Sequence, residues 1–284
     1  MRSTIFKLVL VALHKIIFGH LVNLGDTKSE SNHRDRGNRI TKGEEAVLEE
    51  FPFLVQFLNH GGLCAGTILT TKTVMTAAHC LDANSNLNEM IVFSQSRYIF
   101  DNSAISHNIF DFIKHENYND AGFSNDIAIL MILDTFEFGI YVNKGTLTDS
   151  LAWMDESVKV IAAGWGETKY GGNNPDPNGL LKATTLHYVS LRKCENAHNI
   201  ALTPDMLCLY SEKHQDTCRG DSGGGVVWNG TVIGIVSHGS GCGTSPAVYM
   251  NVFYFKPWIS RTVKRLNQKF CHHLEELNST IILL

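Results

Sequence analysis

The segment Gly220-Asp221-Ser222-Gly223-Gly224-Gly225 is the most informative stretch of this chain. It places one serine among glycines, and glycine permits the tight backbone that a nest of converging N–H donors requires. A serine hydroxyl held beside such donors is suited to nucleophilic attack on a carbonyl group. Glycine-rich serine loops are also common surface turns, so this segment alone leaves both interpretations open.

Two other segments supply the partners that a serine nucleophile needs. Residues 69–80 are rich in β-branched side chains, as in a strand, and end on alanines followed by His79. Residues 125–131 place Asp126 before an apolar run that is typical of a buried strand. Taken singly, His79 could be an ordinary histidine and Asp126 a turn former. Together with Ser222 they supply a base, an orienting carboxylate and a nucleophile.

Four motifs in this order make the sequence resemble the trypsin/chymotrypsin family of serine endopeptidases, over about residues 39–270. The motifs are Ala77-Ala78-His79-Cys80, Asp126-Ile127-Ala128-Ile129-Leu130, Gly164-Trp165-Gly166 and Gly220-Asp221-Ser222-Gly223-Gly224. The resemblance implies an all-β fold of two six-stranded antiparallel barrels, approximately residues 40–150 and 151–255. It places the active site in the cleft between them.

The resemblance also assigns roles to individual residues. It implies a catalytic triad of His79, Asp126 and Ser222, with an oxyanion hole made by the backbone N–H groups of Gly220 and Ser222. Asp216, six residues before the nucleophile, would form the floor of the specificity pocket and select Lys or Arg through a charge-assisted hydrogen bond. A solvated loop aspartate is the alternative interpretation.

The walls of that pocket are predicted from the same resemblance. They would include Ser237, Gly239 and Ala247. Relatives usually have tryptophan where His238 stands and glycine where Ala247 stands. We therefore expect cleavage after basic residues, with an unusual balance between Arg and Lys.

Seven cysteines fit an oxidising compartment. The resemblance implies three disulfides, and the pairs are Cys64–Cys80, Cys194–Cys208 and Cys218–Cys242. Cys271 is left over. It is either a free thiol or one half of an intermolecular bridge.

The N-terminal region has the composition of a segment that is removed. Residues 1–25 contain a short apolar stretch after a basic start, which indicates a secretory signal peptide more than a membrane span or a helix of the mature protein. Residues 26–39 are polar and are predicted to be an activation segment. The resemblance implies cleavage between Arg39 and Ile40, after which the new amino group pairs with Asp221.

Composition excludes several classes of protein. Hydrophobic residues make up 44% of the 284 residues and charged residues 18%, which argues against disorder. The formal charge of −4 provides no basic surface for nucleic acid. The sequence contains no cluster of metal ligands, and we predict no cofactor and no membrane attachment. Asn229 and Asn278 are glycosylation acceptors, consistent with an extracellular protein.

The C-terminal part follows a different pattern from the β-rich body. Pro257 suits the first turn of a helix, and the apolar residues 259, 263, 266 and 270 then follow at helical spacing. We predict a helix over residues 257–270 that closes a peptidase domain of residues 40–270. Residues 271–284 are predicted to be a tail.

The resulting hypothesis is a secreted serine endopeptidase that is made as a zymogen and cleaves after Lys or Arg. Its expected partners are protein substrates, an activating trypsin-like protease or the enzyme itself, and protein protease inhibitors. A non-catalytic homologue that acts as a binding or regulatory cofactor is the alternative hypothesis. The presence of all three triad residues favours the enzyme.

Overall fold

A computed structural model describes residues 43–122, 124–167, 179–198 and 201–282. The predicted signal peptide, the activation segment and the cleavage site at Arg39 and Ile40 lie outside the described residues. The strands are β1 (Glu44–Glu45), β2 (Leu54–Asn59), β3 (Gly62–Ile68), β4 (Thr73–Thr76), β5 (Met90–Ser94), β6 (Ile105–Lys114), β7 (Ala128–Ile132), β8 (Thr146–Leu147), β9 (Lys159–Gly164), β10 (Lys182–Val189), β11 (Met206–Tyr210), β12 (Gly225–Trp228), β13 (Thr231–His238) and β14 (Ala247–Asn251). The helices are α1 (Leu191–His198) and α2 (Val252–Ile282), and short 3-10 helices lie at Leu48–Glu50, Ala78–Leu81 and Leu87–Glu89.

Two closed antiparallel barrels of six strands each form the body of the protein, which confirms the predicted fold class. The first barrel has the strand order β2-β3-β4-β7-β6-β5. The second has the order β9-β10-β11-β14-β13-β12, with β1 added beside β10 and β8 beside β13. Strand β7 is buried along its whole length, as its uninterrupted apolar sequence predicts.

The run over residues 69–80, which resembles a strand in sequence, is a strand only at Thr73–Thr76, because a tight turn precedes it. Strand β3 ends at Ile68 and β4 begins at Thr73. Between them, the Thr70 hydroxyl accepts hydrogen bonds from the N–H groups of Lys72 (3.2 Å) and Thr73 (3.1 Å). A threonine side chain that bonds nearby backbone competes with strand pairing, which explains the break.

Helix α2 corrects the predicted C-terminal helix, because it begins at Val252 and continues to Ile282. At its start, the Asn251 side chain accepts a hydrogen bond from the N–H group of Phe253 at 3.1 Å, as an N-terminal cap does. Residues 258–282 contain no glycine or proline, the residues that most often end a helix, so the helix continues through them. The expected tail is therefore mostly helical.

Helix α2 connects the two barrels. It leaves the second barrel directly after β14 and then packs on β6 of the first barrel. The ring centroids of Phe270 and Phe110 lie 5.0 Å apart, edge to face. Beside them, Lys269 Nζ lies 2.5 Å from Asp111 Oδ2. The described part of the chain contains no helix long and apolar enough to cross a membrane.

Three disulfides brace this architecture. They join Cys64 to Cys80, Cys194 to Cys208 and Cys218 to Cys242. The first of them fixes the segment that carries His79 to strand β3. Cys271 is an exposed free thiol on α2.

Candidate functional site

His79 and Asp126 meet because the strands that carry them are neighbours. His79 follows β4, Asp126 precedes β7, and these strands pair with Thr76 opposite Ala128. The Asp126 carboxylate accepts two hydrogen bonds from His79, from the backbone N–H (2.9 Å) and from ring Nδ1 (2.7 Å). A carboxylate can only accept, so Nδ1 carries the proton and Nε2 is left as an acceptor.

A third hydrogen bond reaches Asp126 from the second barrel. The Ser237 hydroxyl donates to Asp126 Oδ2 at 2.5 Å, and the carboxylate is fully buried. From the sequence, Ser237 was expected only as a pocket wall. It borders the cavity and also holds the carboxylate.

The two ionisable groups affect each other's titration. Burial alone would raise the pKa of Asp126, but the hydrogen bonds from His79 and Ser237 outweigh it and hold that pKa below its usual value. Burial likewise opposes protonation of His79, yet the hydrogen bond and the charge of Asp126 raise the His79 pKa. The imidazolium form is therefore stabilised, as a general base requires once it has taken a proton.

Ser222 lies on the loop before β12, between the two barrels. Its carbonyl accepts a hydrogen bond from the Ala65 N–H at 2.7 Å. At Gly223, whose φ is +88°, an added Cβ would lie 2.2 Å from Thr76 Oγ1 and 2.3 Å from the Ala65 carbonyl oxygen, so only glycine fits. Within the described residues, the N–H groups of Gly220 and Ser222 donate to no protein acceptor. They remain available to a ligand.

A cavity of about 240 Å³ opens beside Ser222. It is bordered by all the predicted pocket residues, which are Asp216, Ser237, Gly239 and Ala247. Gly239 and Ala247 face each other, because a Cβ built on Gly239 would lie 3.3 Å from the Ala247 methyl group. That methyl group therefore narrows the cavity.

Asp216 is a buried carboxylate held by three donors. It accepts hydrogen bonds from the N–H groups of Thr217 (2.8 Å) and Gly243 (2.9 Å) and from the Tyr249 hydroxyl (3.3 Å). Burial raises the pKa of Asp216 to about 6 despite these hydrogen bonds. A cation that entered the cavity would favour the ionised form. Tyr249 is a contributor that the sequence analysis missed, because it lies 33 residues from Asp216.

Asp221 is fully buried in the loop that carries Ser222. It accepts hydrogen bonds from the N–H groups of Gly166 (2.7 Å) and Cys218 (2.9 Å), and burial raises its pKa to about 6. Gly164 makes room for it, since a Cβ there would lie 2.1 Å from Asp221 Oδ1. The motif Gly164-Trp165-Gly166 thus has a steric reason that the sequence alone did not supply.

Two further sequence features can be placed. Asn229 is exposed in the turn between β12 and β13, and Asn278 is exposed on α2, so both predicted glycosylation positions are accessible. Within the part of the chain that the structure describes, one group of side chains has the spacing of metal ligands, namely Cys64, His79 and Cys80. Its two sulfur atoms are bonded to each other, so they offer no thiolate.

Known proteins resemble this chain over most of its length. The family model described as Trypsin matches residues 40–259. The chain is 32% identical to Trypsin epsilon of Drosophila erecta, over 80% of this chain and 89% of that protein. It is 31% identical to the Vitellin-degrading protease of Bombyx mori, over 81% of this chain and 88% of that protein. The solved structure of neuropsin, a serine protease of mouse brain, matches with a TM-score of 0.69 and 27% identity, over 78% of this chain and 99% of that chain.

The close contact between Gly164 and Asp221 predicts that a larger residue at position 164 lowers the stability of the protein. We expect Gly164→Ala to lower the free energy of unfolding by about 1–3 kcal/mol or more, because the new methyl group and the carboxylate cannot occupy one space. Gly139→Ala is the matched control, since nothing lies within 4 Å of its added Cβ. Urea unfolding of both variants measures the difference. Equal stability of the two variants would contradict the packing described here.

Proposed function

Because this chain belongs to the trypsin family of serine proteases, we propose that it hydrolyses peptide bonds through Ser222, His79 and Asp126. The hydrogen bonds from His79 to the buried carboxylate of Asp126, 2.7 and 2.9 Å long, carry this proposal. They leave Nε2 of the ring as the free basic atom on the side opposite Asp126. Ser222 supplies a nucleophile beside the cavity that Asp216 borders.

The proposed reaction proceeds in two halves. Ser222 Oγ attacks the peptide carbonyl and His79 Nε2 takes the hydroxyl proton, while Asp126 stabilises the imidazolium. The oxyanion binds the N–H groups of Gly220 and Ser222, each worth about 3–4 kcal/mol of barrier. His79 then returns the proton to the leaving amine, which departs from the acyl-enzyme. Water then attacks the acyl carbon while His79 Nε2 takes its proton. The ester bond to Ser222 breaks, His79 returns the proton to Ser222 Oγ, and the carboxylic acid is released.

We assign selection of the substrate to Asp216. A lysine or arginine side chain in the cavity would meet a desolvated carboxylate and form a charge-assisted hydrogen bond. The Ala247 methyl group narrows the cavity near Gly239 and so disfavours a planar guanidinium that must lie bidentate. The compact ammonium of lysine tolerates the narrowing better. We infer cleavage after basic residues, with a weaker preference for arginine than glycine at position 247 would allow.

We assign control of activity to Asp221. Among the described residues no lysine, arginine or histidine forms an ion pair with this buried carboxylate. An amino group freed by cleavage between Arg39 and Ile40 would supply the missing positive charge. Breaking one side of such a buried pair costs about 3–5 kcal/mol, enough to disorder the loop that carries Gly220.

Secretion is part of the same proposal. Three disulfides and two exposed glycosylation acceptors suit an oxidising, extracytoplasmic compartment. The partners we expect there are protein substrates, an activating trypsin-like protease or the enzyme itself, and protein protease inhibitors.

Ser222→Ala tests the nucleophile. We expect the activated variant to fold normally and to lose about a millionfold in kcat, because the covalent route is gone while binding and the oxyanion donors remain. The measurements are hydrolysis of a basic peptide and labelling by a serine-directed phosphonate. Ser85→Ala, a change at an exposed serine, serves as the control. A folded, cleaved wild-type protein that takes no label would favour the non-catalytic homologue instead.

The raised pKa of Asp216 predicts how the binding of a cationic inhibitor depends on pH. A small amidinium inhibitor should bind the ionised carboxylate, so its inhibition constant stays level above pH about 6 and rises about tenfold per unit below it. Asp216→Ser should bind weakly and without this dependence.

The control for this measurement is Ala247→Gly. It keeps the carboxylate and the pH dependence, and it should shift the ratio of Arg to Lys cleavage toward Arg. Basic specificity that survives in Asp216→Ser would overturn the assignment of the pocket floor.

Arg39→Gln tests the activation step. After treatment with a trypsin-like protease, the wild type should gain activity and the variant should stay inactive, because no new amino group reaches Asp221. Arg36→Gln is the matched control, since it removes a nearby arginine and leaves the proposed cleavage site intact. Activity is followed with the phosphonate probe and cleavage by N-terminal sequencing. An uncut Arg39→Gln chain with full activity would disprove the mechanism.

A further inference from the structure

A second buried carboxylate lies close to the proposed triad and is not one of its members. Asp205 is only 3% exposed, and its Oδ2 accepts a hydrogen bond from the Asn125 N–H at 2.7 Å. Asp205 precedes β11 of the second barrel, whereas Asn125 directly precedes Asp126 in the first barrel. The bond therefore links the two barrels one residue away from Asp126.

Contacts within the first barrel and one contact from the second barrel set the conformation of Asn125. Its φ is +54°, in the left-handed region, which asparagine adopts more readily than most other side chains but still less freely than glycine. Such a residue persists where its surroundings over-determine it. Here the side-chain amide of Asn125 donates to the Asn117 carbonyl at 3.1 Å, and the Asn125 carbonyl accepts from the Ile127 N–H at 2.8 Å. The Asp205 carboxylate, which accepts from the Asn125 N–H, provides the contact that comes from the second barrel.

Asp205 is itself held in place. Its backbone carbonyl accepts a hydrogen bond from the Asn251 N–H at 2.7 Å. Asn251 in turn caps the start of α2. The carboxylate thus projects from a fixed backbone, and a charge-assisted bond to it is shorter and stronger than one between neutral groups.

We propose that Asp205 is a positioning residue that fixes the turn at Asn125 and so aims the Asp126 carboxylate at His79. The inference rests on the triad proposed above. Rotation of the Asn125 backbone would carry Asp126 away from His79 and Ser237, since Asp126 is the next residue in the chain. A displacement of about 1 Å at such a group can lower the rate about a hundredfold.

The test compares Asp205→Ala with Asp205→Asn in the activated protein. Asparagine keeps an acceptor oxygen without the charge, so the kcat of Asp205→Asn should stay within about threefold of the wild-type value. Asp205→Ala removes the acceptor and should lower kcat about 10- to 100-fold. KM for a basic peptide should change by less than about twofold, because the cavity is untouched. Asp155→Ala is the control, since Asp155 also accepts a backbone N–H, from Ser157 at 2.8 Å, in an exposed turn. Its kcat should not change.

A second comparison separates positioning from general damage. In an Asp126→Asn background, adding Asp205→Ala should cause no further loss of kcat, since its effect passes through Asp126. An equal loss in that background, or an unchanged kcat in folded Asp205→Ala, would overturn the proposal. If Asp205→Ala gives no folded protein, Asp205→Ser replaces it, and failure of both to fold would assign Asp205 a purely structural role. Wild-type activity in Asp126→Asn would instead refute the triad itself.

Discussion

The Asp126 carboxylate has no contact with solvent, and hydrogen bonds from both barrels replace its lost hydration. His79 contributes two of them from the first barrel and Ser237 contributes one from the second. A buried charge without such partners costs far more than the marginal stability of a domain allows. The barrels must therefore pack together before this carboxylate can be both ionised and buried. Assembly of the fold and assembly of the site are one event.

Sequence motifs point to the residues of the candidate site but not to the bonds among them. His79, Asp126 and Ser222 each stand in a short segment with its own pattern, so each could be recognised locally. The hydrogen bond from Ser237 to Asp126 spans 111 residues, and no local pattern signals it. The same holds for Asp205, which lies 80 residues from the N–H group that it holds. Such contacts depend on which loops the barrels bring together, and local patterns in the sequence do not show this arrangement.

Local physics also explains where the element boundaries were wrong. The apolar spacing in the C-terminal region predicted a helix but could not give its ends, because nothing in residues 258–282 stops a helix. The helix begins at the Asn251 cap, whereas Pro257, a residue typical of a first turn, lies inside the helix. In the first barrel, a threonine-rich run favoured one long strand because β-branched residues suit strands. Instead, the two hydrogen bonds that the Thr70 hydroxyl accepts from the backbone stabilise a turn.

The contact of α2 with the first barrel also bears on the order in which the protein folds. Lys269 and Asp111 are 158 residues apart in sequence, and their contact closes one of the longest loops in the molecule. Contacts between residues so far apart in sequence form slowly, because the entropy of loop closure must be overcome before they stabilise the fold. On the ribosome, the first barrel is synthesised long before the helix that covers β6 exists. We expect the outer face of β6 to stay uncovered until α2 has been synthesised.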